Sequence, residues 1–193
     1  MFWDATLQLG WPFGPLLRLL LLTGQRESEV AGLRWSELDI PNRVWDLPGM
    51  RTKKRQSPHY PSQRPPLEII NELPRCARAE GKPDYLFSFT GNDAVNGFGY
   101  AKERLDKLMP GAEPWRIHDL RRTATTGMAR LGIPPHVADR VLNHRSGTLS
   151  QVALVYNRFS YLEDRRDALE KWGRFVQSLV RPETSNVVAL ASR

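Results

Sequence analysis

The run LLRLLLLTG at residues 16–24 constrains the fold of this chain more than any other stretch. It is almost all leucine, yet Arg18 interrupts it, and it falls far short of the ~20 residues that a membrane-spanning helix needs. It therefore reads as part of a helix over roughly 13–23 that ends at Gly24, a residue that tolerates the left-handed backbone of a helix exit. A signal peptide is a poor fit as well. Trp3, Asp4, Trp11 and Pro12 break up the beginning, and no small-residue cleavage pattern is clear. The expected compartment is the cytoplasm, with no membrane partner. At 193 residues and 40% apolar content, the chain supports one substantial core and a single folded domain.

Helical periodicity recurs along most of the sequence. A first helical piece with apolar residues at 2, 3, 7 and 9 reads as the edge of a domain that normally has more protein before it. QRESEVAGLRWSEL restarts the pattern with Val30 and Leu33 on one face, closed by Trp35. RVWDLPG reads as a short strand punctuated by Pro48-Gly49, and DYLFSF at 84–89 as another. Pro65 and Pro66 open a helix through about Ala79, striped by Leu67, Ile70, Leu73 and Ala77. Phe98, Ala101, Leu105 and Leu108 mark the next. Further helices run from near His118 to Gly132, from Pro134 or Pro135 onward, near 149–157, and over about 162–180 with Leu162, Leu169, Trp172, Val176 and Leu179. The last dozen residues read as a loose tail. The expected fold is thus mostly α with a small antiparallel β element, in one domain over 1–180 with a tail at 181–193.

The charge balance points to a polyanionic partner, since 28 Lys plus Arg against 21 Asp plus Glu leaves a formal +7. Residues 50–66 hold Arg51, Lys53, Lys54, Arg55, His59 and Arg64 without one acidic side chain, as an exposed loop or hairpin would. Such cations suit backbone phosphates, and one flexible ammonium can donate a proton into a cleft; nothing physical separates Lys53 from Lys54 in this role. Because proline cannot donate a ladder hydrogen bond, SPHYPSQRPPLEII predicts a return strand that is short or out of register. Cys76 is the only cysteine, which excludes an internal disulfide and a cysteine-based metal cluster, and the histidines at 59, 118, 136 and 144 are scattered.

Three further stretches carry chemistry. In IHDLRRTATTGMARLG, His118 and Arg121 fall on one helical surface beside an apolar stripe of Ile117, Leu120, Ala124 and Leu131. A helix-start histidine and a solvated arginine would look the same. Arg26 lies near a helix start, where the dipole favours anions, so a bound anion is one reason for a cation there. Glu29, one turn on, either pairs with it across the surface or orients its guanidinium from beneath. HRSGTLSQVALVYNR carries His144 and Arg145 and ends at Tyr156, which is either the last aromatic of an apolar patch or a reactive phenol.

Taken together, TGQRESEVAGLRW, RTKK, IHDLRRTATTGMARLG, VLNHRSG and VYNRFSYLEDRR resemble, in this order, the catalytic domain of the tyrosine recombinases, specifically phage and prophage integrases. The resemblance covers nearly the whole chain. It implies that family's catalytic-domain fold and places the catalytic groups on Arg26, Lys53, His118, Arg121, His144 and Tyr156. The arginines would clamp the phosphate, His118 would serve as base or orient the base, and His144 would bond a phosphoryl oxygen. Lys53 would protonate the departing 5' oxygen. Arg51, Lys54, Arg55, Arg122 and Arg145 would contact DNA. The implied product is a 3'-phosphotyrosyl intermediate formed without metal or other cofactor. The implied partners are double-stranded DNA and a homo-tetramer on paired DNA sites.

Family members commonly carry an amino-terminal core-binding domain, which has no room before Arg26. The chain is therefore expected to be an isolated catalytic domain, a truncated product or a prophage remnant that binds DNA without completing recombination. A type IB topoisomerase shares the tyrosine strategy, and a protein-interaction module built on the final helix is a third class. Tyr161 is a rival nucleophile, but the acidic side of SYLEDRR disfavours phosphate there, so Tyr156 is preferred.

Overall fold

Helix α2, Phe13–Thr23, buries eight of its eleven residues, among them Leu16, Leu17, Leu19, Leu20 and Leu22. A helix apolar on nearly every side is stable only when other elements surround it, and α2 is the element around which the rest is packed. In the computed structural model, which describes residues 1–51, 59–61, 64–143 and 161–181, it touches α1 (Phe2–Leu9), α3 (Glu27–Ala31), α4 (Arg64–Asn71), α6 (Asp119–Arg130) and α8 (Leu162–Val180). The remaining helices are α5 (Phe98–Lys107), which packs on α1, and α7 (Pro135–Val141), wedged against α6 and α8. Among the described residues no helix is long and apolar enough to cross a membrane.

Gly24 ends α2 as the glycine predicts, with φ 64 and ψ 13, its N–H donating to the Leu20 carbonyl. Space as well as backbone angle demands glycine here, because a Cβ would stand 2.8 Å from Leu142 Cδ2. A second close approach joins α6 to α8. The Trp172 ring packs against Gly127, where an added Cβ would meet Cζ3 at 2.1 Å, while Trp172 Nε1 donates to the Leu21 carbonyl at 2.9 Å. One buried indole thus ties three helices together.

The small sheet is antiparallel in the order β1-β2-β3, with β1 Leu38–Asp39, β2 Val44–Asp46 and β3 His59–Pro61. Trp45, 5% exposed, pairs with Leu38 on one side and Tyr60 on the other, and its indole N–H reaches Glu37 at 3.2 Å. The return strand is three residues long, as the flanking prolines require, and its register against β2 is regular.

Several expectations are corrected. The helix expected to reach Ala79 stops at Asn71, because Pro74 cannot donate a helical bond and restricts Leu73 before it. DYLFSF is not a strand: its one ladder contact is an isolated bridge from Tyr85 to Arg34, and Leu86 and Phe87 are both fully buried. The Leu86 N–H to Leu33 O bond belongs to that bridge; beyond it the chain turns, with the Val95 N–H donating to Phe87 O and the Gly91 N–H to Ser88 Oγ. Strand β1, unforeseen, pairs across a tight turn in which Asp39 accepts from Asn42. On α8, Leu169, Trp172 and Val176 are buried, but Leu179 is 67% exposed. The helix expected near 149–157 and the tail at 182–193 lie outside the described residues.

Gly127→Ala is expected to destabilise the domain by about 1–3 kcal/mol through displacement of the indole, even though alanine is the better helix former by about 1 kcal/mol. Urea denaturation of the two proteins measures the difference, and a neutral or stabilising result would contradict the packing described.

Candidate active site

Arg26 is the residue just before α3, held in an extended conformation with φ −74 and ψ 146. Its position is set by Glu29, whose carboxylate accepts from the Arg26 backbone N–H at 3.2 Å and from its Nη1 at 2.9 Å. Glu29 is 4% exposed and the Arg26 side chain 32%. Glu29 therefore orients the guanidinium from beneath rather than pairing with it across the surface. A cation at a helix start, unfavourable with respect to the dipole, is compensated by a buried anion one turn on.

His118 caps α6 and is exposed. The loop that delivers it is fixed by Trp115, whose indole N–H bonds Asp106 of α5 at 3.0 Å, whose ring stands edge-on to Phe2 of α1, and over which Lys102 sits at 4.4 Å. Asp119 accepts from the Arg116 N–H and from Arg122, which together with the neighbouring His118 hold its carboxyl below the usual carboxylate range.

Arg121 is not solvated: it is 4% exposed. Its Nη1 donates to the Gly24 carbonyl at 2.6 Å and its Nη2 to the Leu142 carbonyl at 2.5 Å. These carbonyls lie at the C-terminal ends of α2 and α7, where unpaired acceptors and the helix dipole both favour a cation. Gln25, 2% exposed, works beside it: Nε2 donates to Thr23 O at 3.0 Å and to Val141 O at 2.8 Å.

These elements enclose a cleft of about 280 Å³ lined by Gln25, Arg26, Glu27, His118, Leu120 and Arg121, among others. Arg26, His118 and Arg121, distant in sequence, thus share one concave wall. Glu27 adds a carboxyl at the same wall, and removal from water pushes its pKa up. Tyr161 sits instead on α7, its ring 5.7 Å from His136 and under the Arg140 guanidinium at 4.3 Å.

Lys53, His144 and Tyr156, with Lys54, Arg55 and Arg145, lie outside the described residues. Of the expected DNA contacts, Arg122 has a side chain 77% exposed. Arg51 faces inward: it is 20% exposed, bonds the buried Glu37 carboxylate, reaches the Glu29 carbonyl at 3.4 Å and fits over Gly32, where a Cβ would stand 2.6 Å from Nη2. Sequence reading missed Gln25, Glu27 and Glu37. For Gln25 the one available signal was a polar residue wedged between a helix-ending glycine and Arg26.

A mostly helical domain with a three-stranded antiparallel sheet, which carries Arg26, His118 and Arg121 on one cleft, has the fold of the catalytic domains that the motifs resemble. The sequence matches the Phage integrase family over residues 11–160, and the chain belongs to that family. It is 27% identical to prophage integrase IntA of Escherichia coli K12, over 82% of this chain and 37% of that protein. The chain therefore spans little more than a third of that relative's length. In fold it is similar to the integrase of mycobacterium phage Brujita, with TM-score 0.61, 18% identity and coverage of 82% of this chain and 50% of the other. It is also similar to the XerH site-specific recombinase in its pre-cleavage complex with the difH substrate, with TM-score 0.58, 17% identity and coverage of 84% and 49%.

Arg121→Met is expected to lower stability by roughly 1–3 kcal/mol, because two buried carbonyls lose their donor. Thermal and urea unfolding test this. An unchanged midpoint would show that the guanidinium does not hold the two helix ends.

Proposed function

We propose that the chain is the catalytic domain of a site-specific DNA recombinase that cleaves and rejoins strands through a 3'-phosphotyrosyl intermediate, as in integration or excision of phage DNA. The observation that carries this reading is the convergence of Arg26, His118 and Arg121 on one cleft. Its support beyond that is family membership and the order of the remaining motif residues along the chain.

The chemistry follows from the groups. The scissile phosphate carries a negative charge that grows on its nonbridging oxygens as a fifth ligand approaches, and fixed guanidinium donors meet that charge. A phenol, with a pKa of about 10, is mostly protonated at neutral pH. His118 accepts or orients the Tyr156 proton, the phenolic oxygen bonds phosphorus, and the bond from phosphorus to the 5' oxygen breaks. Lys53 gives that oxygen its proton, and His144 donates to a phosphoryl oxygen. Rejoining runs the same steps backward with another strand's 5' hydroxyl, so the phosphoester energy is retained and no nucleotide cofactor is consumed. Lys54, Arg55, Arg122 and Arg145 neutralise backbone phosphates of double-stranded DNA. Arg51, drawn in by Glu37, anchors the start of the basic segment. Productive exchange takes four copies on paired sites, acting in the cytoplasm.

The test is a nicked duplex carrying the attachment sequence recovered from the ends of the DNA that encodes the chain. A covalent adduct is expected with the native chain, none with Tyr156→Phe, and a rate reduced about 10²–10³-fold with Arg26→Gln. Reversible binding without any adduct would favour the DNA-binding remnant, and relaxation of supercoils without site preference would favour a topoisomerase.

Glu27 opposes phosphate in the same cleft. Its raised pKa means that it neutralises at a higher pH than an ordinary carboxylate as the solution is acidified, so duplex affinity should rise as pH falls from neutral toward 5. Glu27→Gln should tighten binding about threefold at neutral pH and low salt and flatten that pH dependence. Fluorescence anisotropy at a series of pH values reads both effects, and a Glu27→Gln protein with the native pH profile would exclude this role.

A further inference from the structure

The side chain of Gln25 has an oxygen with no reason to be where it is. Oε1 is buried and has no hydrogen-bond partner among the described residues, in a residue 2% exposed. A buried amide oxygen without a donor is costly, and an aliphatic residue would avoid the cost. The other half of the amide explains its presence. Nε2 joins Thr23 O at the end of α2 to Val141 O at the end of α7, two segments 116 residues apart in the sequence.

Gln25 also stands at a junction. It lines the cleft together with Arg26 and Arg121, and it lines a small apolar cavity behind the cleft with Leu19, Val30, Trp45 and Ile70. It is the neighbour of Arg26 in the chain, and Val141 and Leu142, the carbonyls bonded by Gln25 and Arg121, come immediately before Asn143 and His144. Asn143 leaves α7 with φ 50, so the chain turns sharply at the point where these two bonds end. Among the described residues, Arg121 bridges the α2 turn to the end of α7 through Gly24 O and Leu142 O. Gln25 adds a second bridge beside it, and two bridges restrain rotation where one does not.

We infer that Gln25 is a positioning residue of the phosphate clamp: by fixing the Gly24–Arg26 turn to the end of α7, it sets where the Arg26 guanidinium stands relative to Arg121. This rests on the recombinase reading above. Gln25 does not touch the reacting atoms, and the affinity of the protein for DNA does not depend on it. Its loss acts on the alignment of cations with a charged nonbridging oxygen, and therefore only where that charge exists.

That selectivity gives the test. Two nicked duplexes with the attachment sequence are compared, one with the ordinary scissile phosphodiester and one with a methylphosphonate in its place, in which a methyl group replaces a nonbridging oxygen and removes the charge. Gln25→Leu, which keeps the bulk and removes both donor and orphan oxygen, is expected to slow Tyr156 adduct formation about tenfold to a hundredfold on the phosphodiester. On the methylphosphonate it should react at close to the native rate, with duplex binding by anisotropy unchanged. Arg26→Gln serves as the reference for loss of the clamp and should show the same pattern. If Gln25→Leu lowers the melting temperature, Gln25→Met replaces it. Equal slowing on both substrates, or no slowing on either, would overturn the inference and leave the recombinase reading standing. A native chain that forms no adduct on either duplex would overturn that reading and this inference with it.

Discussion

The guanidinium of Arg121, buried between two helix ends, is the interaction on which the site depends. Its donors meet the carbonyls of Gly24 and Leu142, so one cation compensates the exposed acceptors at the C-termini of both α2 and α7. Around it the turn from α2 into α3 takes its shape: Gly24 leaves the helix in the left-handed region, Gln25 points inward to Val141, and Arg26 emerges toward the cleft. A lysine would supply the charge but not the flat fork that spans two carbonyls in different directions. A group that is both a structural bridge and a wall of the cleft cannot drift relative to either helix. Such immobility is what electrostatic stabilisation of a transition state requires.

The same construction recurs one layer out. Buried carboxylates hold half-buried cations: Glu29 beneath Arg26, and Glu37 inside Arg51. Both acids are nearly inaccessible, at 4% and 6% exposure, and a buried carboxylate is tolerated only with charged or hydrogen-bonding partners. Glu37 has the Trp45 indole N–H as well, which links the sheet to the arginine that starts the basic segment. The surplus of positive charge over the chain is therefore not spread as a simple coating. Part of it is locked in place by internal anions, and the remainder, such as Arg122, projects into solvent.

What the sequence made legible follows from how local each cause is. The ends of α2 and α6, the start of α7 and the short third strand were readable because glycine and proline act within a residue or two of themselves. The fate of Arg121 was not, since one helical turn of sequence looks alike whether the arginine points to water or to a carbonyl 97 residues away. The stretch 84–89 misled for a related reason. Its aromatic and apolar content is that of a strand, but its backbone pairing is limited to one isolated bridge, while Leu86 and Phe87 are both buried. The order of the family motifs was legible as a pattern, whereas the contacts of Gln25 with Val141 and of Glu29 with Arg26 are ones that only the fold supplies.

Helix α2 connects these observations. Its leucines bury it on nearly every side, the Thr23 hydroxyl bonds Leu19 O, and two residues of the cleft bond the carbonyls at its end, Gln25 that of Thr23 and Arg121 that of Gly24. The Leu21 carbonyl, in the same final turn, holds the indole of Trp172 from α8. The end of the most buried helix is thus tied to both the cleft and the helix that follows the tyrosine-bearing segment in the chain. Packing around α2 and alignment of the cleft are consequently one physical property. A substitution that shifts this final turn moves the arginines and α8 together, and a substitution that leaves it in place can alter the surface of the cleft without disturbing the core.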